Sequence, residues 1–297
     1  MSRSLAFSKY HGTGNDFVMV FDPDDAWRLA PDDVADLCER RFGIGADGLI
    51  RVAPTGDADA RWFMDYRNAD GSDAEMCGNG VRCVAALLRD RGAETADGFD
   101  VLTRSGPRSL MILEGGRPGR YRVTVSMGAA NFTKAAIPMR GPAWETFQQQ
   151  PFELGSGLTA TATAVSMGNP HLVLFVPEDP DRYHVSHIGP ALEHDERFPE
   201  GTNVEFARVR TTNADALEVG DPGTIDVRVW ERGSGETMAC GSGACAVAVA
   251  ANEAGMVPAR SRVVFPGGEA HVERQDDGDM RLTGGAVHVF DGTVELP

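Results

Sequence analysis

Long apolar stretches are what this chain most plainly lacks. The longest, Ala244 to Ala251, falls far short of the ~20 apolar residues needed to cross a bilayer. The N-terminus, Met1 to Gly12, has no apolar core between a basic start and a small-residue cleavage site, so no secretory signal is expected. Basic charge is scarce: 28 Lys and Arg against 44 Asp and Glu give a formal net charge of −16. Such a surface repels phosphate backbones and anionic lipid, which makes nucleic acid and membranes poor partners. The five cysteines, Cys38, Cys77, Cys83, Cys240 and Cys245, make an odd count, with no Cys-x-x-Cys pair. That argues against a disulfide scaffold or a dithiol redox site and for reduced thiols. Their spacings are not the short knuckles of structural zinc. Neither glycine loop ends in the Lys-Ser/Thr of a nucleotide P-loop. These absences leave a cytoplasmic enzyme acting on a small molecule.

A chain of 297 residues is long enough for two ordinary cores, since single cores stop growing near ~250 residues. Self-similarity supports two. Gly14-Asn15 ahead of the strand-like Phe17 to Phe21 recurs as Gly168-Asn169 ahead of Leu172 to Val176. Arg41-Phe42 recurs as Arg197-Phe198. The strand Arg61 to Tyr66, leading into Arg67-Asn68-Ala69-Asp70-Gly71, corresponds to Thr224 to Trp230, leading into Glu231-Arg232-Gly233-Ser234-Gly235. Met76-Cys77-Gly78-Asn79-Gly80 corresponds to Ala239-Cys240-Gly241-Ser242-Gly243. Single matches of this length arise by chance. An ordered set with nearly constant spacing predicts an internal duplication.

Each Cys-Gly-x-Gly lies between a strand and a helix. After Gly80, Val81, Val84, Ala85, Leu87 and Leu88 carry helical spacing up to Gly92. Ala244 to Ala251 is apolar all round, which belongs in a core. Further short strands are expected at Val101 to Thr103, Ser109 to Leu113, Tyr121 to Val125, Asn203 to Val209, Arg262 to Phe265 and Ala286 to Phe290. Pro31 to Phe42 reads as an amphipathic helix packing Cys38 into a core, and Ile137 to Gly157 reads as a connector or surface excursion.

A cysteine just before a helix, followed by Gly-x-Gly, meets unpaired backbone N–H groups and the positive end of the helix dipole. That setting favours the thiolate and a depressed thiol pKa. The same N–H groups can hold a carboxylate, which the glycines allow to approach closely. Two such sites, one per half, suit removal of an α-proton from one face of a carbon and its return to the other, which inverts the centre.

Several motifs resemble the diaminopimelate epimerase family: Gly12-Thr13-Gly14-Asn15-Asp16-Phe17; Asn68-Ala69-Asp70-Gly71-Ser72 running into Glu75-Met76-Cys77-Gly78-Asn79-Gly80-Val81-Arg82-Cys83; Gly168-Asn169-Pro170-His171; and Trp230-Glu231-Arg232-Gly233 running into Glu236-Thr237 and Ala239-Cys240-Gly241-Ser242-Gly243. The resemblance covers nearly the whole chain. It implies an α/β fold of the α+β type, in two pseudosymmetric domains, each a curved mixed sheet around a central buried helix. The expected domains are 1–128, joined by the return segment 280–297, and 129–279. It further implies interconversion of LL- and meso-2,6-diaminopimelate in lysine biosynthesis, without pyridoxal phosphate, other cofactor or metal, by a homodimer. On that resemblance, Cys77 and Cys240 are the acid/base thiols, and His171 and Glu231 tune them. Gly78, Asn79, Gly241 and Ser242 bind the reacting carboxylate. Asn15, Asn68, Asn169, Asn203, Glu231 and Arg232 hold the remaining charged groups of the substrate. Gly48 departs from the glutamine common in the family, so no substrate contact is assigned there. Two rivals stay open: a proline or hydroxyproline racemase-like enzyme with a smaller substrate, and a phosphate-binding module on the glycine loops.

Overall fold

The structure, a computed structural model, describes residues 3–57, 60–74, 76–113, 118–155, 157–210 and 222–296. Two compact units divide the chain, Met1–Ser126 with Thr283–Pro297, and Met127–Leu282. The first begins with β1 (Arg3–Gly12), β2 (Asn15–Phe21), α1 (Pro31–Cys38), β3 (Gly48–Pro54) and β4 (Trp62–Asn68). It continues through α2 (Gly78–Asp90), β5 (Gly98–Thr103), β6 (Gly106–Ile112) and β7 (Arg120–Ala129). The second opens with β8 (Gln150–Gly155), β9 (Leu158–Ser166), β10 (Pro170–Phe175), α3 (Val185–Glu193) and β11 (Asn203–Val209). β12 (Thr224–Glu231), β13 (Gly235–Thr237), α4 (Gly241–Glu253), β14 (Arg260–Phe265) and β15 (Gly268–Arg274) follow. The last strand, β16 (Asp279–Leu296), returns to pair antiparallel with β1, Leu296 opposite Arg3.

The duplication read in the sequence reappears in the pairing. In the first unit β1/β2 is antiparallel, β2/β3 parallel, β3/β4 antiparallel, β4/β5 parallel and β5/β6 antiparallel. In the second, β9/β10, β10/β11, β11/β12, β12/β14 and β14/β15 repeat that alternation. Even the register corresponds: Phe17 lies opposite Gly48, and His171 opposite Asn203. Counting two residues on along β3 and β11, Ile50 of the first unit is the counterpart of Glu205 in the second.

In each unit the strands wrap a helix. α2 touches β1, β2, β3, β4 and β6; α4 touches β9, β10, β11, β12, β14 and β15. From Gly243 to Ala251 α4 is small-residue, apolar and buried, as a stretch of helix without a polar face must be. α2 buries Val81, Val84, Leu87 and Leu88 on its sheet side, each such side chain contributing about 1.5–3 kcal/mol. Both helices open on a backbone that their cysteine caps, and this fixes where each thiol lies.

Two local expectations are corrected. The helix begun at Pro31 stops at Cys38 rather than Phe42: Glu39 leaves the helical region, and Ile44 and Ala46 turn back to donate to the carbonyls of Leu37 and Cys38. Phe42 is left exposed. The segment Ile137 to Gly157 is no mere surface excursion. It ends in β8, paired to β9, and buries Ile137, Met139, Phe152 and Leu154 in the core of the second unit. Its prolines and glutamines masked a period-two alternation, Phe152 and Leu154 inward with Glu153 outward.

Candidate functional site

In the first unit Cys77 is the N-cap of α2, in extended backbone conformation, and its Sγ accepts the Gly80 N–H at 3.4 Å. Sulfur here replaces the oxygen of an ordinary N-cap. Asn15, arriving from the β1–β2 turn, sets its Oδ1 3.5 Å from both Cys77 Sγ and Asn79 Nδ2. Its own Nδ2 donates to Asp47 at 2.6 Å, which fixes the amide. Gly78 and Asn79 are buried. Asn68 lies at the end of β4, where its amide donates to the Ser72 hydroxyl at 3.0 Å. Glu75, quoted with this motif, lies outside the described residues.

Behind this helix start lies Arg82, fully buried. Its guanidinium donates to the Gly78 carbonyl at 3.1 Å, to Asn79 Oδ1 at 2.8 Å and to the Thr13 hydroxyl at 3.0 Å. A guanidinium's rigid fork suits such convergent acceptors. It ties the glycine loop, the β1–β2 turn and the helix into one piece. On the sheet side the wall is apolar: a methyl on Gly80 would meet Ile50 Cδ1 at 2.7 Å and Met64 Cε at 3.0 Å.

In the second unit Cys240 caps α4 in the same way, its Sγ accepting the Gly243 N–H at 3.4 Å, with Ser242 Oγ 3.5 Å away. Asn169 Nδ2 lies 3.4 Å from Ser242 Oγ, and Asn169 Oδ1 lies 2.9 Å from His171 Nε2. The other ring nitrogen, Nδ1, lies 2.7 Å from Glu205 Oε1. His171 and Glu205 are wholly buried. Glu231, at the end of β12, accepts the Thr237 hydroxyl and hydrogen-bonds Cys240. The wall behind this helix is therefore polar: a methyl on Gly243 would meet Glu205 Oε1 at 2.8 Å.

The remaining two residues join each other. Asn203 accepts the Arg232 backbone N–H at 2.9 Å and donates to the Pro170 carbonyl at 2.8 Å, so backbone engages its amide on both sides. The Arg232 side chain is exposed and donates to the Glu200 carbonyl at 3.2 Å. Cys77, Asn15 and Asn79 thus meet in one cluster, and Cys240, Ser242, Asn169, His171 and Glu231 in another. Asn68 is held by its own turn.

Electrostatics corrects one expectation. Position at a helix start was expected to favour the thiolate at both cysteines. At Cys240 burial outweighs it: desolvation, and then the neighbouring Glu231 and Glu205 carboxylates, hold the thiol well above its ordinary value, against smaller help from Ser242 and the Gly243 N–H. Burial also raises the carboxyl of Glu231, opposed by its hydrogen bonds from Thr237 and Cys240. Cys83, buried within α2, is pushed up to about 12 by desolvation, and Cys38 to about 11. These are packing thiols.

Sequence reading missed Glu205, Arg82, Asp47 and Thr237. Glu205 had a signal: in Asn203 to Val209, strand alternation puts it on the face of Asn203, an acid inside an otherwise apolar run. Arg82 had none, since an arginine on a helix is ordinarily solvated. Among the described residues, no three of His, Cys, Asp and Glu gather as metal ligands would, and no helix is long and apolar enough to cross a membrane.

A sheet-wrapped helix built twice along one chain defines a class of duplicated folds with solved examples. The chain is similar to a hydroxyproline epimerase from Agrobacterium vitis, TM-score 0.69 at 14% identity, covering 99% of this chain and 93% of that one. It is also similar to a phenazine biosynthesis protein from Bacillus anthracis, TM-score 0.65 at 15% identity, covering 98% and 99%. At such identities the likeness is one of fold. Sequence goes further: the profile described as diaminopimelate epimerase matches residues 7–133 and again 163–289. Diaminopimelate epimerases from Desulforudis audaxviator, 44% identical over 97% of this chain and 98% of the relative, and from Synechococcus elongatus, 40% identical over 99% of each, resemble it along its length. The chain belongs to the diaminopimelate epimerase family, a family of isomerases.

Proposed function

We propose that this protein interconverts LL- and meso-2,6-diaminopimelate, in lysine biosynthesis, with Cys77 and Cys240 as opposed acid and base. The observation that carries the reading is the matched cap: in a member of this family, both thiols begin a buried helix and accept the N–H three residues on, at 3.4 Å each. In this reading one thiolate takes the α-proton while the opposite thiol gives its own proton to the other face. The sulfurs exchange roles, and no net proton is consumed. The reacting carboxylate lies on the helix starts, at Gly78-Asn79 and Gly241-Ser242, where N–H groups and dipole stabilise the charge that builds as the carbon becomes carbanionic. Asn15, Asn68, Asn169, Asn203, Glu231 and Arg232 hold the substrate's ammonium groups and distal carboxylate. Arg232 suits the carboxylate, being exposed and bidentate.

The raised Cys240 thiol supports a definite starting state, in which Cys240 enters protonated and acts first as the acid. His171 and Glu231 tune it. The protein is also proposed to act as a homodimer. The test is incubation of the reduced protein with LL-diaminopimelate in D2O without added cofactor, with L-proline in parallel. The expected result is meso product carrying α-deuterium and no exchange on proline. Turnover of proline alone would replace the substrate and keep the chemistry.

A further inference from the structure

Glu205 is the least explained group in the molecule. It sits in the middle of β11 with no exposure, and its Oε2 is buried without a hydrogen-bond partner. Burying a carboxylate with one oxygen unpaired destabilises a fold unless the charge has work elsewhere. The first unit does without it: at the position matching Glu205 stands Ile50, and at the position matching His171 stands Phe17. The same sheet thus packs with an apolar pair in one copy and a hydrogen-bonded acid and imidazole in the other.

What the pair adds is a directed chain of contacts. Glu205 Oε1 is an acceptor 2.7 Å from His171 Nδ1, and Asn169 Oδ1 is an acceptor 2.9 Å from His171 Nε2. An imidazole between two acceptors must donate from both nitrogens. The Asn169 amide is thereby turned with its NH2 toward Ser242 Oγ, 3.4 Å away. That leaves the Ser242 hydroxyl proton free to face Cys240 Sγ at 3.5 Å. Remove the carboxylate and the ring has no reason to carry the second proton. A singly protonated ring fits equally well with the amide reversed, and Ser242 loses its orientation.

We propose that Glu205 is a positioning residue of the Cys240 site, holding His171 as a double donor and so fixing which sides of Asn169 and Ser242 face the thiol. The role rests on the epimerase reading only for its kinetic consequence. Among the described residues, the titratable groups interacting with His171 are Glu205 from β11 and Glu231 from the end of β12, Cys240 at the start of α4 being reached through Asn169 and Ser242, while β9 offers Val165. In the first unit the two matching positions hold Ile50 and Phe17, whose apolar side chains cannot form this relay.

The experiment has two readouts. Two-bond 1H–15N spectra of 15N-histidine protein, with His171→Gln assigning the ring, should show both His171 nitrogens protonated in the wild type, one bare nitrogen in Glu205→Gln, and both again protonated in Glu205→Asp. A wild-type ring with one bare nitrogen, or a ring unchanged by Glu205→Gln, would overturn the proposal. If Glu205→Gln does not fold, the wild-type and Glu205→Asp spectra decide. On diaminopimelate, Glu205→Gln should lower kcat by about tenfold or more, change KM less, and shift the pH profile, with Glu205→Asp recovering part of the rate. The double variant Glu205→Gln/His171→Gln should be no slower than His171→Gln alone, and effects that multiply would place Glu205 outside the relay. A wild type that leaves diaminopimelate unchanged would sink the functional reading, while the ring spectrum would still decide the role of Glu205.

Discussion

The helix starts at Cys77 and Cys240 share strand order, cap geometry and sulfur–amide distance, yet they are supported from opposite sides. At α2 the polar support comes from the helix itself, through Arg82 and its bonds to Gly78, Asn79 and Thr13, while the sheet behind Gly80 is apolar. At α4 the residue matching Arg82 is Cys245, fully buried, and the polar support comes from the sheet through Glu205 and His171. A duplicated fold can therefore keep the backbone that positions a thiol while each copy finds its own way to set the surroundings. Backbone geometry makes the two sites comparable, and side chains make them unequal, as the proposed pairing of one acid with one base would require.

The largest effect should come from the thiols themselves. Cys77→Ala and Cys240→Ala should each cost roughly 10²–10⁴ in turnover of diaminopimelate, measured as meso product formed. Loss from only one variant would mean that the copies are not partners in one reaction. Next comes the support. Arg82→Met strands buried acceptors at the α2 start and should destabilise by about 3–5 kcal/mol in denaturant unfolding, whereas Cys245→Ala at the matching place should cost roughly 1 kcal/mol. Equal losses would erase the distinction drawn between the two helices.

Smaller effects test the walls. Gly243→Ala drives a methyl against the Glu205 carboxylate that His171 holds, while at Gly80→Ala the close contacts are the mobile ends of Ile50 and Met64. Gly243→Ala should therefore lose more kcat, by about tenfold relative to Gly80→Ala, and a reversed order would locate the sensitive wall in the first unit. The smallest effect is a slope. Because the folded Cys240 thiol titrates well above its unfolded value, its contribution is fully present below pH ~8.5 and is lost as pH rises, since the unfolded chain ionises first. Wild type should lose up to about 1.4 kcal/mol per pH unit more than Cys240→Ser above pH ~9, read from urea midpoints between pH 8 and 10.5.

Much of this architecture was legible in residue order. Cys-Gly-x-Gly ahead of apolar helical spacing located both caps, and the spacing of Gly-Asn, Cys-Gly and strand landmarks exposed the duplication, because turns and caps depend on neighbours in the chain. Arg82 was illegible, and Glu205 showed only as an acid within a strand, for a shared reason. Each looks like a solvated charge until strands distant in sequence close around it, and only the sheet register reveals that Glu205 replaces Ile50. The raised thiol of Cys240 escaped for a related reason: helix position is local, but desolvation and two carboxylates from other strands are not. β8 hid behind glutamines and prolines that suggested a surface segment.

The pairing of β16 with β1 has a consequence for synthesis. The second unit is one uninterrupted stretch, Met127–Leu282, and all of it is made before Thr283–Pro297, the segment that returns to the first unit. The first unit is spelled out earlier but stays open: β1 has only β2 beside it until residues near Leu296 arrive. Of the two units, the one begun earlier is thus closed later, and β1 keeps an unpaired edge until residues 287–296 emerge, the kind of exposure that invites association with other chains.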